Sequence, residues 1–487
     1  MGRVTEPNQV LPVPPADLPG TLGALRAAGH HYRTVKQELR DNLLARLRAG
    51  GDRFPGIVGY DDTVLPEVER ALLAGHDMVL LGERGQGKTR LIRSLVALLD
   101  EWTPVIAGSV LNEHPMHPLT PASRALAAEA GDDLPVAWLH RSMRYGEKLA
   151  TPDTSVGDLI GDVDPIRIAQ GRTLGDPETI HFGLVPRTNR GIFAVNELPD
   201  LAERIQVALL NVLEERDIQV RGYQLRLPLD LLLVASANPE DYTNRGRIIT
   251  PLKDRFGAEI HTHYPLGLEL ELALIRQEAD LVADVPEHVL EVLARFARAV
   301  RDSPSVDQRS GVSARFAIAA AETVAAAALR RSGLLAADAS TEGVREEAPV
   351  ARVGDAVSVT STLRGKVEFE SGEDGREVEI LAHLLRTATA DTFRARLAGL
   401  DLSGFTALVD DGRVVETGEL VASAELLRQV GTVPGLAKAL DRLGLGDAPT
   451  PEQAAAGVEF VLEGLHLTRR LGKDVTDSGR TVYGGRG

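Results

Sequence analysis

Gly82-Glu83-Arg84-Gly85-Gln86-Gly87-Lys88-Thr89 follows the apolar run Met78-Val79-Leu80-Leu81 and precedes a helical pattern over Arg90–Leu99. The octet fits G-x-x-x-x-G-K-[ST], and it lies between a strand and a helix, where that pattern has a physical use. Its glycines let backbone N–H groups wrap a chain of phosphates at a helix N-terminus, whose dipole favours negative charge. Gly82, Glu83, Arg84, Gly85, Gln86, Gly87, Lys88, Thr89 and Arg90 are therefore the candidate nucleotide contacts. Lys88 is placed to reach the β- and γ-phosphates, and the Thr89 hydroxyl to bind Mg²⁺. The implied ligands are ATP and Mg²⁺.

Two more apolar runs end in polar residues. Gly191-Ile-Phe-Ala-Val-Asn-Glu197 reads as a buried strand closed by a polar pair. In P-loop ATPases such a strand usually ends Asp-Glu, the Asp ordering the Mg²⁺ shell and the Glu polarising the attacking water. Here the first position is Asn196, a candidate for the metal shell, and the second is Glu197, the candidate catalytic carboxylate. Asn196 reads equally as a cap for a helix starting near Leu198. An amide in place of a carboxylate costs about 1–2 kcal/mol of metal organisation. On that reading Asn196→Asp lowers the Mg²⁺ requirement. The run Leu231-Leu-Leu-Val-Ala-Ser-Ala-Asn238-Pro239 ends in Asn238, a second candidate for holding the attacking water, although Asn-Pro alone is a turn signal. The carboxyl ends of parallel strands are where such sheets bind ligands.

The rest of the composition narrows the field. The chain has 487 residues, 43% hydrophobic and 25% charged, ample for a core without staples. It has no cysteine, which excludes disulfides, thiolate metal sites and cysteine nucleophiles. Its 70 acidic against 54 basic residues leave a formal charge of −16, which repels nucleic acid and anionic lipid. No apolar run approaches the roughly 18 residues of a membrane span, and no apolar signal core opens the sequence. A cytoplasmic protein without nucleic-acid or membrane partners is expected. His114 with His117, and His261 with His263, are pairs without a third ligand at fixed spacing and read as structural. The arginines between Arg386 and Arg396 read as a solvated helix face.

The expected fold is α/β: a P-loop core with a parallel sheet, then an all-helical lid and a mostly helical C-terminal extension. Residues 1–33 are expected to be a flexible leader, because five prolines fall within residues 1–20. A helix capped by Thr34 and Gln37 follows. The α/β domain spans 34–265, the lid 266–332, a mobile connection 333–356, and the extension 357–487. In the extension, Thr406–Val409 and Val414–Thr417 read as a strand pair turning at Asp411-Gly412.

The succession of these motifs with Leu252-Lys-Asp-Arg-Phe256 resembles the AAA+ ATPases, and more narrowly the branch of the magnesium-chelatase ATPase subunit and the MoxR ATPases. The resemblance covers roughly residues 34–331. It implies that Arg255 is an arginine finger reaching a neighbouring subunit's ATP, although a salt bridge with Asp254 or Glu259 explains it too. It implies that Arg315, in Gly311-Val-Ser-Ala-Arg315, contacts the γ-phosphate as sensor 2, with Arg309 a nearby competitor. Gly157–Asp164 with Phe182–Val185 resembles the branch's helix-2 insertion. Asp217–Val220 and Gln224–Leu227, turning through Gly222, resemble its hairpin before sensor 1.

Three functions follow from the resemblance. The first is a ring ATPase, a homo-oligomer and typically a hexamer, that remodels or matures a client with a separate von Willebrand A partner. The second is a magnesium-chelatase ATPase subunit driving Mg²⁺ insertion into a porphyrin. The third is a transcription activator of the alternative-sigma-factor type, disfavoured because its Gly-Ala-Phe-Thr-Gly-Ala loop is absent and no helix-turn-helix is apparent. About 150 residues beyond the lid, and Asn196 itself, favour the first.

Overall fold

The computed structural model describes residues 12–163, 180–214, 217–220, 223–239, 247–338, 347–410, 414–476 and 480–484. Backbone packing divides the chain into two units, residues 1–83 with 87–263, and residues 84–86 with 264–487.

The strands of the first unit are β1 (Met78–Leu81), β2 (Trp102–Ile106), β3 (Val136–His140), β4 (Tyr145–Leu149), β5 (Gly161–Val163), β6 (Ile180–Phe182), β7 (Gly191–Asn196), β8 (Asp217–Val220), β9 (Tyr223–Arg226), β10 (Leu231–Ala237) and β11 (Ala258–His261). Five of them form one sheet in the order β11-β1-β10-β7-β4, every pairing parallel. Side chains alternate between its faces. Met78, Leu80, Ile192, Ala194, Leu232 and Val234 pack with the helices Val35–Ala49 and Val64–Ala74. Val79, Leu81, Phe193, Val195, Leu233 and Ala235 pack with the helix Glu203–Glu214 on the other face. Burial on both faces is why β1, β7 and β10 are unbroken apolar runs. Their carboxyl ends carry the P-loop, Glu197 and Asn238.

The parallel strand β4 was not expected. It is less apolar than its neighbours, and a buried ion pair anchors its start: Arg144 donates to both carboxylate oxygens of Glu38, at 2.7 and 2.6 Å. Glu38 also accepts from the Asp100 backbone at 2.7 Å, so helix Val35–Ala49 is tied to the head of β4.

The expected leader is ordered from residue 12. Leu22 and Leu25 are buried on the short helix Leu22–Ala27, Leu22 beside Ile106 and Leu134. The Trp138 indole donates to Pro19 O at 2.9 Å, and Val136 N to Gly20 O at 3.0 Å. A six-residue helix is too short for a periodic signal, and its partners lie more than eighty residues away. Residues 1–11 lie outside the described residues.

β5 and β6 pair antiparallel, as do β8 and β9, so both expected insertions contain ordered pairs. Asp164 and Gly222 lie outside the described residues.

In the second unit the helices Leu268–Glu278, Glu287–Arg301 and Ala314–Asp338 stand where the lid was expected. The expected connection at 333–356 is different. Its first part continues the helix to Asp338, and residues 347–356 are packed. Arg352 is buried, donating to Glu347 at 2.8 Å, Ser423 Oγ at 2.8 Å and Val421 O at 2.9 Å. Polar, alanine-rich sequence looked like a linker because its charges are paired inside the fold. One apolar core joins the lid helices to Phe393 on Glu377–Arg396 and Phe460 on Pro451–Leu467, so lid and extension form one unit.

The expected strand pair in the extension is also corrected. Ser403–Asp410 is a helix, and β12 (Val415–Thr417) pairs with β14 (Thr481–Gly484), which also pairs with β13 (Gly472–Val475). The partner of β12 lies more than sixty residues away, beyond the reach of a hairpin reading. Asp411 and Gly412 lie outside the described residues. Arg394 pairs with Asp391 at 2.7 Å on the exposed, solvated face, whereas Arg396 departs from that reading and pairs with the buried Glu291 of another helix at 2.5 Å. Among the described residues no helix is long and apolar enough to cross a membrane.

Candidate active site

The P-loop turns through Gly85 at φ +74° and Gly87 at φ +81°, a left-handed region that favours glycine, and Gly87 is the cap of helix Lys88–Ser94. Lys88 opens that helix and its side chain is buried. Its ammonium donates to Gly82 O, to Glu83 O at 2.9 Å, and to Asn238 Oδ1 at 2.8 Å. The Asn238 amide in turn donates to Glu197 Oε2 at 2.8 Å. The P-loop lysine, the Asn238 strand end and the Glu197 carboxylate are thus one hydrogen-bonded chain across β1, β10 and β7. These three residues come together as the sequence reading expected.

Glu197 has its backbone at φ 56°, ψ 47°, one of only four non-glycine residues at positive φ among the described residues. Such strain costs on the order of 1–3 kcal/mol and concentrates where side chains must be aimed. The following 3₁₀ turn Leu198–Asp200 has Glu197 at its cap position, with no side-chain cap bond. The cap reading of Asn196 is therefore set aside. Asn196 instead accepts from Ser236 Oγ at 3.1 Å and Thr89 Oγ1 at 3.4 Å, and donates to Glu147 Oε1 at 2.6 Å.

Sequence reasoning missed Ser236, Glu147, Arg93 and Tyr145. Ser236 lies on β10 two residues before Asn238 and also accepts from Glu197 N at 3.4 Å. Glu147 accepts from Arg93 through two bonds of 2.8 and 2.9 Å and from the Tyr145 hydroxyl at 3.0 Å. A signal existed for Ser236, the Ser-Ala-Asn strand end. For Glu147 there was none, because its partners come from three separate elements.

A nucleoside triphosphate with Mg²⁺ fits these residues. The ammonium at Lys88 is poised among acceptors that a phosphate can replace. Thr89 Oγ1 and Asn196 Oδ1 converge as oxygen donors, the class of ligand a hard divalent cation prefers.

Arg255 is exposed at the end of helix Thr250–Arg255. Glu259 pairs with Lys253 at 3.1 Å. Arg315 is exposed at the start of helix Ala314–Asp338 in the second unit, its backbone N–H bonded to Ser313 Oγ at 3.1 Å. Its competitor Arg309 pairs with Asp307 through two bonds of 3.0 Å.

The chain is 30% identical over 235 residues to the magnesium-chelatase subunit ChlI of Nostoc sp., covering 47% of this chain and 59% of that protein. It is 29% identical over 240 residues to the magnesium-chelatase 38 kDa subunit of Cereibacter sphaeroides, covering 47% of this chain and 64% of that one. The chain thus spans less than two thirds of the length of these relatives. Over that stretch the chain is similar to magnesium-chelatase subunits. No family model matches the chain. Among solved structures, a cryo-EM-based complex of magnesium-chelatase subunits BchI and BchD matches at 23% identity and a TM-score of 0.35, covering 67% of this chain and 98% of that one.

The candidate histidines contact neighbouring side chains. Among the described residues no group of three or more His, Cys, Asp and Glu is placed to hold a metal. His263 Nε2 contacts Thr63 Oγ1 at 2.8 Å, and His117 stacks on Tyr32 at 4.9 Å. His114 is buried, with Nδ1 accepting from Met116 N at 3.0 Å and the ring stacked 5.7 Å from His30. Burial, and then the Arg190 guanidinium, push its pKa down to about 2. The unfolded state therefore binds a proton that the folded state refuses as pH falls below about 6.5, so stability declines on acidification at up to about 1.4 kcal/mol per pH unit. Urea unfolding at pH 7 and pH 5.5 is expected to show a smaller acid loss in His114→Gln than in the parent. Equal losses would remove His114 from the acid response.

Proposed function

We propose that the chain hydrolyses ATP with Mg²⁺ and works as a subunit of a ring, using the cycle to remodel or mature a client protein. The observation that carries this reading is the hydrogen-bonded chain Lys88–Asn238–Glu197. Lys88 binds the β- and γ-phosphates, giving up its carbonyl partners to do so. Thr89 and Asn196 orient the metal-bearing side of the phosphates, where the cation neutralises developing charge. Glu197 accepts the proton of the attacking water through Oε1 or Oε2, and Asn238 holds that carboxylate and the γ-phosphate side in register. Arg255, always charged and planar, suits the γ-phosphate of a neighbouring subunit. Arg315 is assigned the sensor 2 contact.

A site completed in trans makes specific activity rise with protein concentration. Arg255→Ala is expected to keep ATP affinity and to lose hydrolysis by about 10³-fold or more, as arginine fingers do. Activity independent of concentration, and intact in Arg255→Ala, would mean the site is complete within one chain. For the client, a von Willebrand A protein acting as a separate partner is the expected companion.

Similarity to magnesium-chelatase subunits favours a second reading, an ATPase subunit that drives Mg²⁺ insertion into a porphyrin. The two are separated by adding a porphyrin and a chelatase partner set and following the absorbance change of metal insertion. Insertion dependent on this chain supports the second reading, and its absence favours remodelling.

A further inference from the structure

We propose that Glu147 supplies the carboxylate that the strand end at Asn196 lacks, so that the two residues act as one unit: an amide oxygen facing the hydrated cation that accompanies the phosphates, and a negative charge one strand over. The proposal rests on the nucleotide reading of the site.

β4 and β7 are parallel neighbours, with Glu147 in register with Ala194 and Leu149 with Asn196. Glu147 reaches along the sheet to the end of β7, where its Oε1 takes a bond of 2.6 Å from Asn196 Nδ2. An ionised carboxylate only accepts. The amide nitrogen must therefore face Glu147, and Oδ1 is left on the side of Thr89 Oγ1 and Ser236 Oγ, at 3.4 and 3.1 Å. The reverse orientation would set two acceptors against each other.

Glu147 is itself fixed. Arg93 grips it at 2.8 and 2.9 Å, and Tyr145 donates to Oε2 at 3.0 Å. Arg93 lies one turn after Thr89 on the helix that Lys88 opens, so the residue facing the cation and the residue holding Glu147 share a helix face. The guanidinium offsets part of the charge, and what remains acts on the cation through the amide. Glu147 is a positioning residue.

One consequence reverses the expectation drawn from sequence. Aspartate at 196 would bring its carboxylate against Glu147, so two acceptors would face each other where the amide now donates, and neither would hold its present position. Asn196→Asp should then weaken the response to Mg²⁺. Exchanging the two groups, Asn196→Asp with Glu147→Gln, restores an amide-to-carboxylate bond with donor and acceptor swapped.

The test compares the parent, Glu147→Gln, Asn196→Asp and the double variant. The readout is fluorescence of an ATP analogue labelled on the ribose, titrated with Mg²⁺, alongside urea midpoints that report folding. Each single variant is expected to raise the half-saturating Mg²⁺ about tenfold, the scale of one charge-assisted bond. The double variant is expected to return close to the parent. Overturning results are a lowered Mg²⁺ requirement in Asn196→Asp alone, or a double variant no better than the worse single one. If all four bind the analogue and respond to Mg²⁺ alike, the nucleotide site stands and the Glu147 assignment falls. If the folded parent does not bind the analogue, both fall.

Discussion

Lys88→Ala is expected to lose ATP binding by about two to four orders of magnitude. Each hydrogen bond to a charged group contributes about 1.5–3 kcal/mol, and the ammonium is assigned two phosphates, which gives about 3–6 kcal/mol. No neighbour replaces it: Arg90 is turned to Gly56 O at 2.9 Å. The lysine also donates to Gly82 O, Glu83 O and Asn238 Oδ1, so its loss frees the loop and the end of β10 together. Isothermal titration with ATP, beside a urea midpoint to confirm folding, checks this. A folded variant with parental affinity would remove the P-loop assignment.

Glu197→Gln is expected to bind ATP as the parent does and to hydrolyse it about 10²–10⁴-fold more slowly, the usual contribution of a positioned general base. Glutamine keeps an acceptor for the Asn238 amide, and either residue bears the same left-handed backbone. Only the proton-accepting charge is removed. The variant should therefore hold ATP and its protein partner long enough for capture. Hydrolysis near the parental rate would move the base elsewhere.

The central strands and the P-loop were legible because their signals are local. β1, β7 and β10 are buried on both faces, so each is a continuous apolar run that ends in its functional residue. The same logic found Glu197 and Asn238. What failed to show has partners far away in sequence. Leu22 is buried against residues beyond 100, and β12 pairs with a strand near residue 480. Residues 347–356 looked like a linker because paired charges inside a core have the composition of charges in water. Glu147 is the functional case of this. A glutamate on a half-exposed strand has no motif, and it becomes informative only when β4 is set beside β7 and the helix bearing Arg93.

The most direct measurement is phosphate release from ATP and Mg²⁺ by the parent over a range of protein concentrations, with Lys88→Ala and Glu197→Gln alongside. The account predicts release by the parent with a specific rate that rises with concentration, and none above background from either variant. No release by the folded parent, or the same rate from Glu197→Gln, would contradict it.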